Sequence, residues 1–92
     1  MGYEYRISTE ILSPEVADRI LKAAGNGAAI PVNAGYEYRV AGSLGLPSAF
    51  ASVEAYGFYV CAYGTHGLCS EVLGYIVSSA AAFGAVRLEE SE

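Results

Sequence analysis

The stretch Tyr3-Glu4-Tyr5-Arg6-Ile7-Ser8 alternates apolar and polar side chains, the period of a half-buried β-strand. It sets Tyr3, Tyr5 and Ile7 on one face and Glu4, Arg6 and Ser8 on the other. The alternation returns in Tyr36-Glu37-Tyr38-Arg39-Val40, and the pentapeptide Gly-Tyr-Glu-Tyr-Arg stands both at Gly2–Arg6 and at Gly35–Arg39. The flanks differ: Ser8-Thr9-Glu10 follows the first copy and Ala41-Gly42-Ser43 the second. A solenoid repeat needs further copies and a repeated helix pattern, and the chain has neither. The repeat therefore reads as two strands obeying one rule, tyrosine inward and glutamate and arginine outward.

Between the copies the period changes. Ser13-Pro14-Glu15 is a helix start: a capping hydroxyl, a proline suited to the first helical position, and a carboxylate at the positive end of the dipole. Val16, Ile20 and Ala24, with Ala23 beside them, form the apolar stripe, and Asp18 and Lys22 form an i,i+4 pair outside it. Gly25-Asn26-Gly27 ends the helix. The second strand is expected within Ala28–Gly45, and Pro31, lacking an amide donor, argues that it lies at a sheet edge. Gly42–Ser52 reads as a loop. Glu54–Tyr63 reads as a third strand, apolar on both faces and hence central, with Gly57 marking a bulge or a close approach. Leu68, Val72, Ile76 and Phe83, with Leu73 and Ala80, mark a second helix that Gly84 ends. Ala85–Glu89 is a last short strand, and residues 88–92 form a frayed acidic tail.

The order β-α-β-β-α-β predicts an α+β fold: a ferredoxin-like sandwich, with two helices on one face of a four-stranded antiparallel sheet ordered four, one, three, two. The 92 residues are expected to make one domain over residues 1–92. The proline-bearing strand falls at an edge and the doubly apolar strand in the centre, so two clues agree. The helix-covered face takes Tyr3, Tyr5, Ile7, Tyr36, Tyr38, Val40, Val86 and Leu88. The open face takes Glu4, Arg6, Glu37, Arg39, Arg87 and Glu89, and the third strand adds either Tyr56, Phe58 and Val60 or Tyr59, Cys61 and Tyr63.

Composition narrows the function. The apolar fraction of 53% excludes a disordered chain, while 11 glycines and many alanines keep bulky core material scarce. The net charge is −5, and Arg6, Arg19, Lys22, Arg39 and Arg87 are too scattered to track a phosphate backbone, so no nucleic-acid partner is expected. The most apolar tract, Val72–Val86, is broken by glycine and serine and is shorter than the ~20 residues a bilayer span needs. Glu4, Arg6 and Glu10 break any apolar leader. A cytoplasmic location is expected, with Cys61 and Cys69 as thiols.

Chemistry-bearing motifs are sparse. His66 is the single histidine, with Cys69 three residues on, but no orienting third group or family signature accompanies the pair. Cys61, His66 and Cys69 supply three soft ligands where structural zinc takes four, so no metal and no cofactor are expected. Thr65 and His66, in Gly64–Gly67 before the second helix, are the candidate ligand-binding positions, against the plainer role of a capped turn. The expected function is a small protein-interaction module, of inhibitor or immunity type by class analogy, in which Arg6, Arg39, Tyr59, Tyr63, Glu37 and Arg87 bind a protein partner or a second copy through the open sheet face. A dimeric α+β barrel enclosing a small molecule, and a small enzyme using His66 with Cys69, are the alternatives.

Overall fold

The computed structural model describes residues 3–9, 13–25, 29–39, 47–63 and 67–91. The elements run β1 (Tyr3–Thr9), α1 (Pro14–Ala23), β2 (Ala29–Val32), β3 (Gly35–Tyr38), β4 (Ala49–Glu54), β5 (Gly57–Ala62), α2 (Gly67–Ala81) and β6 (Val86–Ser91). They form an α+β fold in which one six-stranded antiparallel sheet, ordered β2-β3-β4-β5-β1-β6, carries both helices on one face.

The four-stranded ferredoxin-like sheet is thus corrected to six strands. Two hairpins account for the difference. The expected second strand is the pair β2 and β3, joined by the two-residue turn Asn33-Ala34. The expected loop over 42–52 contains the start of β4, and the expected third strand, Glu54–Tyr63, begins on the last residue of β4, turns at Ala55-Tyr56 and continues as β5. Gly57 has φ +142°, and a Cβ there would overlap the Ile7 carbonyl oxygen, so this turn exit requires glycine. β5 lies inside the sheet and the Pro31 strand at its edge, as the sequence predicts. The last strand runs to Ser91, through residues expected to fray.

The core lies between the sheet and the helices. Ser13 accepts a hydrogen bond from the Val16 amide at 3.2 Å and Pro14 opens α1, as the start signal requires. The buried stripe of α1 is Ala17, Ile20, Leu21 and Ala24, rotated slightly from the expected one, with Val16 half-buried. In α2 the buried positions are Leu68, Val72, Ile76 and Ala80, spaced by four, while Phe83 lies past the helix end and is exposed. These pack on Ile7, Tyr36, Tyr38, Ala49, Ala51, Phe58, Val60 and Ala62. Ala49 and Ala51 stand opposite Tyr38 and Tyr36, so small side chains flank large ones across one ladder.

Both copies of the repeated pentapeptide obey the inward-tyrosine rule, with different outcomes. Tyr38 is fully buried and donates to the Leu21 carbonyl oxygen at 2.7 Å; Tyr36 donates to Asp18 Oδ1 at 2.7 Å. Tyr5 is half-buried, and Tyr3 and Leu88 remain over 40% exposed although they point to the helix side. Val40 lies outside the described residues.

Candidate functional site

The open face is built by register. Ile30, Glu37, Phe50, Cys61 and Glu4 stand side by side across β2, β3, β4, β5 and β1. The neighbouring row is Ser52, Tyr59, Arg6 and Glu89 across β4, β5, β1 and β6. Glu54, Gly57, Ser8 and Arg87 form the next. Since β5 sends Phe58, Val60 and Ala62 into the core, the alternation sends Tyr59, Cys61 and Tyr63 outward, which decides between the two sets left open by the sequence.

These side chains lean on one another. Phe50 and Tyr59 form a tilted aromatic pair with ring centroids 6.4 Å apart and planes at 58°. The Arg6 guanidinium sits 4.8 Å from the centre of the Tyr56 ring. Arg39 Nη2 donates to Glu37 Oε1 at 3.2 Å, with both side chains about two-thirds covered. Ser52, nearly fully buried, donates its hydroxyl to Glu54 Oε2 at 2.7 Å. At the rim Arg87 Nε and Glu89 Oε1 are 3.9 Å apart and both well exposed, a contact of little energetic weight.

The Tyr59 and Tyr63 phenols stay protonated at neutral pH. Burial pushes the Tyr59 hydroxyl up from its ordinary value, and Cys61 and Glu4 beside it push the same way. Tyr63 is pushed up by burial, Cys61 and Glu37. Both are therefore neutral hydrogen-bond donors flanking a half-buried thiol, chemistry suited to recognition rather than to proton abstraction.

Beside them a groove of roughly 280 Å³ is lined by Glu4, Tyr5, Arg6, Tyr56, Tyr59, Glu89 and Glu90. Its two open-face carboxylates, Glu4 and Glu89, outnumber its one guanidinium, which already lies against Tyr56, so the groove favours a cationic group.

All six expected partner-binding residues are on the open side. Arg6, Tyr59, Tyr63, Glu37 and Arg39 form one patch over β3, β5 and β1 and the residues that follow β3 and β5, whereas Arg87 stands apart on the edge strand β6. Phe50, Ser52, Tyr56 and Ile30 are additional members. The alternation of Ala49-Phe50-Ala51-Ser52-Val53-Glu54 carries the signal for the first two, hidden in sequence by the preceding glycines and Pro47. Thr65 and His66 lie outside the described residues; Cys69 belongs to α2. Among the described residues no group of three or more His, Cys, Asp or Glu is placed to hold a metal ion, and no helix is long and apolar enough to cross a membrane.

No protein-family model, curated protein or solved structure matches the chain.

Proposed function

We propose that the protein is a small interaction module that binds a protein partner through the open face of its sheet. The observation that carries this is the patch itself. One face of the sheet is spent on the helices, and the other carries Phe50, Tyr59, Cys61 and Tyr63 between Arg6 on one side and the Glu37–Arg39 pair on the other. Tyrosine and arginine are the residue types that dominate binding energy at interfaces, and the neutral phenols of Tyr59 and Tyr63 cost less to desolvate than charged groups would. The acidic groove and the net charge of −5 favour a partner that presents a lysine or arginine side chain to Glu4 and Glu89. An inhibitor or immunity role in the cytoplasm, where Cys61 and Cys69 would be thiols, is the form of this reading by class analogy.

The test is capture from the native cell with the wild type, with an Arg6→Ala/Arg39→Ala/Tyr59→Ala triple variant, and with an Arg19→Ala/Lys22→Ala variant of the α1 surface. A partner held by the wild type and the α1 variant but lost by the triple variant supports the reading. Loss of Tyr59 alone is expected to weaken binding by ~10-fold or more, the effect of truncating a central aromatic anchor. If the triple variant retains every protein that the wild type retains, the reading fails.

The groove favours a second reading, a pocket for a small cationic ligand in a dimer with sheets face to face. Saturable binding of a small amine, abolished by Glu4→Gln, would favour it over a protein partner.

A further inference from the structure

The two edges of the sheet are built differently. The Thr9 amide donates to the Tyr56 carbonyl at 2.9 Å, so Thr9 turns its backbone groups toward β5. In an antiparallel ladder such residues alternate, so Tyr3, Tyr5 and Ile7 also face β5 while Glu4, Arg6 and Ser8 face β6. Their partners Ser91, Glu89 and Arg87 point back to β1, which leaves Val86, Leu88 and Glu90 aiming amide and carbonyl out of the sheet. At the opposite edge, Ser48 accepts from the Tyr63 amide at 3.0 Å and donates its own amide to the Tyr38 carbonyl at 2.8 Å, and the two-residue turn that closes Glu54 on Gly57 makes Phe50, Ser52 and Glu54 face β5 and Ala49 and Ala51 face β3. Carried across β3, the alternation leaves Ala29 and Pro31 as the outward residues of β2. Pro31 has no amide to offer, and proline at this position is how natural sheets block an edge. The β6 edge has no such guard: each of its outward residues keeps its donor, and Leu88 is 47% exposed.

We infer that β6 is a self-association edge, on which a second copy of this chain pairs its own β6 antiparallel about a twofold axis at Leu88. The register follows from parity and charge. Opposed residues must share a sheet face, and outward residues must meet outward residues. Centring on Leu88 sets Leu88 against its symmetry mate and Val86 against Glu90, so every outward amide of the three finds a carbonyl. Arg87 and Glu89 then meet each other's copies at positions without backbone hydrogen bonds, where Cα atoms approach to about 4.5 Å. A shift to either neighbouring allowed register puts Arg87 against Arg87 or Glu89 against Glu89, which repel. Within one chain the Arg87–Glu89 contact is long and well exposed, so re-pairing across the axis forfeits little.

The axis is perpendicular to the sheet, so both open faces end on the same side of a continuous twelve-stranded surface. This pairing stands whether or not the open face binds a partner.

The experiment is sedimentation velocity on the full chain with charge swaps at these two exposed positions. The wild type is expected to be a dimer. Arg87→Glu and Glu89→Arg, each placing like charges across the axis twice, should weaken it by ~10-fold or more. The double variant R87E/E89R should recover wild-type affinity, and an equimolar mixture of the two single variants should form a heterodimer. Amide exchange gives a second readout: Leu88 and Glu90 should become protected as concentration rises, while Arg87 and Glu89 are protected at every concentration. A chain that stays monomeric to millimolar concentration overturns the inference. So does a dimer insensitive to both single swaps, or one in which the Leu88 amide still exchanges freely. Dissociation by Arg6→Ala/Tyr59→Ala with neither swap having effect would assign self-association to the open face instead.

Discussion

Replacing Tyr38 by phenylalanine removes one oxygen from the centre of the protein and tests how α1 is fastened to the sheet. Tyr38 is 0% exposed, and its hydroxyl donates to the Leu21 carbonyl at 2.7 Å. Leu21 belongs to the last turn of α1, whose final carbonyls have no amide partner within the helix. The phenol thus supplies a bond that the helix end cannot make for itself. Phenylalanine keeps the ring and its packing but leaves a buried acceptor unpaired, at a cost of roughly 1–3 kcal/mol. Taking about 2 kcal/mol, the folded-to-unfolded ratio falls roughly 30-fold. For a domain of this size the melting temperature drops by about 8–16 °C. Tyr36→Phe is the control. Its partner Asp18 is solvent-exposed and regains water when the phenol is lost, so that loss should stay below about 1 kcal/mol. Urea unfolding of the wild type and both variants, with unchanged slopes, measures the difference. If Tyr38→Phe costs no more than Tyr36→Phe, or less than about 0.5 kcal/mol, the buried bond does not anchor α1.

Two glycines give predictions of opposite sign. Gly57→Ala forces a side chain onto φ +142° and into the Ile7 carbonyl, and should cost roughly 2–4 kcal/mol in denaturant unfolding. Gly74→Ala, in open space on α2, should stabilise by about 0.5–1 kcal/mol; a loss there would contradict the helix surface described. Tyr36, Tyr38, Tyr59 and Tyr63 all hold their protons more tightly when folded, Tyr36 chiefly through its bond to Asp18 and the others chiefly through burial. Above pH ~10 the unfolded chain therefore binds fewer protons than the folded one, so stability is level below that pH and falls as pH rises through it. Thermal melts between pH 7 and strongly alkaline conditions should show this decline, and it should be shallower for Tyr38→Phe.

Much of the fold was legible because local chemistry decided it. Ser13-Pro14-Glu15 starts a helix by capping and dipole, wherever that helix packs. The spacing of Leu68, Val72, Ile76 and Ala80 selects one buried face of α2. The alternation in both pentapeptides assigns Glu4, Arg6, Glu37 and Arg39 to one side of a sheet before any sheet is known. The open-face patch was readable for the same reason, because facing depends on parity along each strand and not on distant contacts.

What only the tertiary structure decided is the strand count, the order and the depth of burial. A hairpin folds Ala29–Tyr38 back on itself because a neighbouring strand is there to receive it, and Ala49–Glu54 becomes a strand because β3 and β5 offer ladders on both sides. Pairing energy of that kind comes from partners remote in sequence, so glycines and prolines nearby are read locally as a loop. Identical pentapeptides likewise diverge: the second buries its tyrosines under α1, while the first, near β6, leaves Tyr3 exposed. Tyrosine pointing inward is a property of the strand. Tyrosine buried is a property of what lies above it, and the helices cover only part of a six-stranded sheet.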